Sequence, residues 1–153
     1  MKKVLLLIAV FVGITSLSNA QVQKKAVGLR FGNLGGLGAE VTYQQPYKNN
    51  RIELDLGLNS AGFGINGIYQ WVKPLPEFED GFYLYYGGGV SLGYYTYNSN
   101  PKGINLGIIG QIGLEYDFEF PLQISIDLKP CIYLIPPVAL VADNICVAVR
   151  YRF

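Results

Sequence analysis

Between Ala26 and the C-terminal Phe153 the sequence repeats one device: apolar and polar residues alternate, position by position, in run after run. Period two is the signature of a β-strand with two unlike faces, because successive side chains leave the backbone on opposite sides. The pattern divides the chain into eight segments, approximately 26–33, 38–45, 50–59, 62–72, 82–96, 103–118, 122–134 and 144–153. Between them lie "NLGG", "PYKNN", "SA", "KPLPEFEDG", "YNSNPK", "EFP" and "IPPVALVAD", whose Gly, Asn and Pro mark turns. No amphipathic helical stretch of useful length interrupts the series. Short links between consecutive strands imply an antiparallel meander, and eight strands can close so that no edge stays open. The predicted fold is all-β, an eight-stranded antiparallel up-and-down barrel.

Sorting each segment by parity separates two chemistries. One face carries Val27, Leu29 and Phe31, then Ile52, Leu54, Leu56 and Leu58, and so on to Val147, Val149, Tyr151 and Phe153, without a charge. The other carries Arg30, Glu40, Arg51, Glu53, Asp55, Glu115, Asp117, Asp127, Lys129, Arg150 and Arg152, interspersed with glycines such as Gly28, Gly87, Gly89 and Gly113. Alternation alone leaves open which face points outward, since a soluble barrel buries its apolar face and a membrane barrel turns it to lipid. Three features favour lipid. The polar face has one strand lysine, Lys129, where a solvated surface would carry more. Tyr43, Tyr69, Trp71, Phe82, Tyr116, Phe118, Phe120, Tyr151 and Phe153 gather at one end of the strands, as an interfacial girdle does. An even strand number also returns both termini to that end. A transmembrane barrel is therefore expected.

Residues 1–20 read as a secretory signal peptide: "MKK", then the apolar "VLLLIAVFVGI", then "TSLSNA" with small residues at Ser18 and Ala20. The apolar run is shorter than the roughly 18 residues of a spanning helix. The remaining domain, 21–153, has lost Lys2 and Lys3, so ten basic residues face eleven acidic ones. Without a basic patch, nucleic acid is not an expected partner.

A cleaved leader, eight alternating strands and a last strand "VAVRYRF" together resemble the small outer-membrane β-barrel family of Gram-negative bacteria, the OmpA/OmpX-like transmembrane barrels without a soluble domain. The resemblance implies outer-membrane residence and the lipid bilayer as solvent. It also implies that Tyr151 and Phe153 serve as the assembly signal read by the barrel-assembly machinery.

The lumen charges number five basic and six acidic, a near-balance that argues for salt-bridged filling, since eight strands leave room mainly for side chains. Cys131 and Cys146 share the lumen parity of neighbouring strands. A hairpin symmetric about 138–139 would set them opposite each other and Asp127 opposite Arg150, leaving two readings: a disulfide, which the periplasm permits, or two free, buried thiols. The chain has no histidine, so a Ser-His-acid mechanism is closed to it, and neither a metal nor another cofactor is expected. The acid pairs Glu53/Asp55 and Glu115/Asp117 read better as filling than as catalytic pairs. "GNLGGLG" and "YYGGGVSLG" lack the Lys-Ser/Thr ending of a phosphate loop. The apolar "IPPVALVAD", 135–143, reads as a loop that packs on the barrel, dips into lipid, covers the mouth or binds a partner.

The expected function is that of a non-enzymatic, integral outer-membrane barrel, mostly closed, with a structural or surface-interaction role. The alternatives are a narrow, porin-like channel or a carrier of small hydrophobic molecules, and a soluble periplasmic barrel of the lipocalin kind.

Overall fold

A computed structural model describes residues 24–32, 38–59, 62–95, 103–135, 138–142 and 144–153. Residues 1–20, expected as a leader, and the connections 34–37, 60–61 and 97–102 lie outside these residues. The strands are β1 (Ala26–Phe31), β2 (Ala39–Tyr47), β3 (Asn50–Asn59), β4 (Gly62–Pro74), β5 (Phe82–Tyr95), β6 (Gly103–Asp117), β7 (Leu122–Leu128), β8 (Cys131–Tyr133), β9 (Ala139–Val141) and β10 (Ile145–Arg152). Each of the walls β1 to β6 pairs antiparallel with its sequence neighbour, β6 pairs with β7, β7 with β10, and β10 with β1. That circuit is a closed barrel of eight walls, as the alternation predicts.

The ten strands reduce to eight walls because β8 and β9 continue β7 and β10. On β6 the pairs Gly113↔Asp127 and Ile109↔Cys131 keep one register, so β7 and β8 are a single wall. Pro130 interrupts it because proline has no N–H for the ladder; there the Gly110 N–H donates to the Pro130 carbonyl at 2.9 Å instead.

The β9–β10 wall behaves differently. Val141 packs inward against the lumen cluster, whereas Cys146, Ala148 and Arg150 are the inward residues of β10. Inward parity has changed from odd to even, the effect of an inserted bulge residue. Cys131 consequently faces Val141, and Cys146 faces Asp127. This corrects the symmetric-hairpin expectation: Arg150 stands opposite Gln123, and part of "IPPVALVAD" is strand.

Following partners around the wall gives the barrel's stagger. Asn105 faces Gly93, then come Gly64, Gly57, Glu40, Arg30, Ala148, Ser125 and, back on β6, Glu115. The path returns ten residues from its start, so the strands tilt strongly, in the range of about 35–45° usual for such barrels.

Burial is inverted relative to a soluble domain. The outer face exposes Leu, Ile or Val on every wall, with Leu58 at 66 %, while Arg30 inside is 0 % exposed. Aromatic pairs rim the end bearing the termini: Tyr47–Tyr69, Tyr69–Trp71, Trp71–Tyr86, Phe82–Tyr116, Tyr116–Phe118, Phe118–Phe120 and Tyr151–Phe153. The opposite end has a smaller set, Phe63 against Tyr94, with Phe31 exposed on β1. The Phe153 N–H donates to the Lys25 carbonyl at 2.9 Å, fastening the last residue beside the first wall.

The long β4–β5 connection is closed by hydrogen bonds from Leu75 to Phe82 and from Phe78 back to Leu75. Gly81 supplies the positive φ of 105° that the turn into β5 requires.

Candidate functional site

The lumen is where the sequence-predicted residues meet. Every one of the eleven charges expected there makes an ion pair, each with a partner from another strand. Register explains how: inward positions fall at every second residue on each wall, and an eight-strand barrel is narrow enough for Arg and Glu to span it.

Three groups are visible. Nearest the termini, Arg152 donates to Asp117 at 2.9 Å and to the carbonyls of Phe118 and Phe120, tying β10 to the β6–β7 turn. Deeper, Arg51 and Glu115 form a two-pronged pair at 2.7 and 2.6 Å, with the guanidinium over the Tyr85 ring at 5.0 Å. Two parallel N–H···O bonds make this geometry both strong and directional. The Arg51 Nε–H also donates to Gln70.

The third group is centred on Glu53. One carboxylate oxygen accepts from Arg30 at 3.2 Å and from Gln111 at 3.0 Å; the other accepts from Gln44 at 2.9 Å and from Arg150 at 2.8 Å. Arg150 donates further to Thr42, Gln123 and Ser125. Arg30 crosses the lumen to Asp127 at 2.8 and 2.7 Å, and Asp127 accepts again from the Tyr85 hydroxyl. Asp127 therefore pairs with Arg30 rather than with Arg150. Lys129 donates to Asp55 at 2.6 Å and to Glu40 at 3.0 Å.

Charge parity located the ionic residues but passed over their neutral partners. Thr42, Gln44, Asn66, Gln70, Gln111, Gln123 and Ser125 are buried on the same face and supply further hydrogen bonds within the network. Their position at even spacing from the charges was a usable signal. Also missed was an apolar pocket of the lumen, where Ile68, Ile109, Cys131 and Tyr133 pack together with Val141.

The two cysteines are free and buried, in conflict with a disulfide. Cys131 lies over Gly107, and Cys146 lies over Gly32, each sulfur occupying the space a glycine leaves. Both thiols are expected to resist a thiol-alkylating reagent in the folded barrel and to react fully once denatured. Mass spectrometry under non-reducing conditions checks this; a disulfide-linked peptide pair would overturn the register described above.

The lumen's chemical capacity follows from this ion pairing. Glu53 and Asp55, like Glu115 and Asp117, are committed to ion pairs with Arg or Lys. Among the described residues no group of three or more His, Cys, Asp or Glu is placed to hold a metal ion. Compared with known proteins, the chain matches no family model, no curated protein and no solved structure.

Proposed function

We propose that this chain is an integral outer-membrane β-barrel protein with a closed, salt-bridged lumen and a structural or surface-interaction role. The observation that carries the reading is the inverted polarity: a continuous apolar belt outside and a buried ionic network within. In water such a belt is far larger than the few hundred Å² that soluble monomers normally expose. Along β6 its outward residues run from Ile104 to Tyr116. At a rise of ~3.3 Å per residue and a tilt of ~40° that span is about 30 Å high, against the ~25 Å apolar band of bacterial barrels.

A lipocalin-like soluble barrel needs the opposite polarity, with an apolar interior. The narrow-channel reading is disfavoured by Arg30, Arg51 and Arg150, whose guanidinium groups lie in the lumen bound to Asp127, Glu115 and Glu53. Tyr151 and Phe153, outward and stacked at 6.4 Å on the closing strand, suit recognition by the assembly machinery.

The protein is expected to sediment with outer membranes, to need detergent for extraction, and to migrate faster on a gel unheated than boiled. In planar bilayers it is expected to give no steady conductance. Recovery from the aqueous fraction without detergent would sink the membrane assignment, and regular ion-selective steps would sink the closed lumen.

A further inference from the structure

At the end bearing the termini, the exposed side-chain charges sort by sign around the rim. Lys24 and Lys25 precede β1, and Lys48 sits in the turn between β2 and β3. Glu77, Glu79 and Asp80 lie on the β4–β5 turn, and Glu119 lies on the β6–β7 turn between Phe118 and Phe120. All of them are exposed. In the circuit β10, β1, β2 and β3 are consecutive walls, and β4 to β7 are the rest, so the two sectors stand on opposite sides of the barrel. Lys73, at the end of β4, is the one lysine of the acidic rim among the described residues.

Each sector also holds an outward aromatic. Lys48 lies over the Tyr47 ring at 5.5 Å, and Tyr47 is itself exposed. Phe78, between Glu77 and Glu79, is 78 % exposed, the most of any large apolar side chain among the described residues. Its turn is braced: the Leu75 N–H donates to the Phe82 carbonyl, and the Asp117 N–H to the Gly81 carbonyl, each at 2.8 Å. Among the described residues none of the lysines and carboxylates of the two sectors makes an ion pair, whereas Arg152 and Asp117 at the same rim take up each other.

An acidic patch by itself names no partner, but here its complement stands on the same molecule. We propose that barrels of this chain associate side by side with copies of themselves, the Phe78 sector of one against the Tyr47–Lys48 sector of the next. The inference rests on the membrane reading, because a bilayer holds neighbouring barrels upright and brings both sectors of co-inserted copies to one height. A single exposed ion pair is weak. Several at one contact, between molecules confined to a plane, act at a raised effective concentration, as linked modules do. Because the sectors lie on opposite sides, the contact is heterologous and leaves one sector of each kind free, which extends a row instead of closing a pair. Phosphate headgroups suit only the lysine sector and are repelled by the carboxylates, so lipid does not match the two together.

The experiment uses equal parts of isotopically light and heavy protein, refolded into phosphatidylcholine vesicles and treated with a carbodiimide, which joins a lysine amine to a carboxylate as an amide. A ladder of linked species is expected, with light–heavy peptide pairs joining Lys24, Lys25 or Lys48 to Glu77, Glu79, Asp80 or Glu119. The ladder is expected to be lost at ~1 M salt, where the screening length shrinks to ~3 Å from ~10 Å at ~0.1 M. It is also expected to be lost in a copy carrying Lys24→Glu, Lys25→Glu and Lys48→Glu, and in one carrying Glu77→Lys, Glu79→Lys and Asp80→Lys. Mixing the two reversed copies is expected to restore it. No light–heavy linkage in the wild type overturns the proposal, as does a ladder that survives in either reversed copy alone. Wild-type linkage confined to other carboxylates overturns it too, and the wild-type peptide pairs decide even if a reversed copy does not fold. Heat-modifiable, detergent-requiring barrels that give no linkage sink the association alone, whereas recovery in water without detergent sinks the membrane reading and this one with it.

Discussion

Arg30→Met is expected to abolish the compact, heat-resistant form of the barrel or to bring its urea midpoint down severely. Arg30 is wholly buried, donates twice to Asp127 and once to Glu53, and lies within ion-pair distance of Glu40 and Asp55. Its removal leaves four carboxylates from three walls facing one another in a narrow lumen. Deleting one partner of a buried ion pair costs about 3–5 kcal/mol, because the remaining charge stays buried and unpaired. Adding Asp127→Asn is expected to recover part of that loss. The rim pair gives the contrast: Arg152 and Asp117 are 14 % and 20 % exposed, so Arg152→Met is expected to cost about 1 kcal/mol, nearer a surface pair. Urea titrations of the refolded protein test both. An Arg30→Met midpoint within error of Arg152→Met would show that the lumen network is not what holds the barrel together.

The second large effect concerns the glycines of β5. Gly89→Val is expected to prevent folding, whereas Gly67→Ala is expected to be tolerated. A Cβ at Gly89 would overlap the carbonyl oxygen of Gly67 on the adjoining strand, and one at Gly87 would overlap that of Tyr69. The obstacles are backbone atoms, which cannot swing aside as a side-chain tip can, so the cost exceeds the ~1–3 kcal/mol of ordinary overpacking. At Gly67, which faces outward, the nearest atom is a Leu54 methyl carbon at 3.7 Å. The assay is the fraction of heat-modifiable barrel after refolding; a normal fraction for Gly89→Val would refute the close approach of β4 and β5.

The residues themselves explain why some features were legible and others were not. The charges of "NRIELDL" fall at alternate positions, so Arg51, Glu53 and Asp55 had to share a face whatever their partners. A strand's faces are set by its own backbone. Partners are set by stagger, a property of the closed circuit. Hence Asp127 was placed on the correct face and given the wrong arginine, and Cys131 and Cys146 were placed in the lumen but given each other. The bulge between β9 and β10 carries no strong local signature, because Ala142 and Asn144 are compatible with strand or turn, and one inserted residue changes every pairing beyond it. Ile68 and Ile109 went unseen for another reason. An apolar residue at a polar-parity position reads as noise until its neighbours across the barrel are known.

The sequence by itself determined the strand number, the two-faced walls and the segregation of charge from apolar surface, because a period of two is local and is written into each strand separately. Tertiary structure alone decided the ten-residue stagger, the shift of register on the closing walls and the choice of partner for every lumen charge. Those depend on eight strands closing at one tilt. Closure is what carries Arg30 across to Asp127 and leaves Lys129 to two carboxylates.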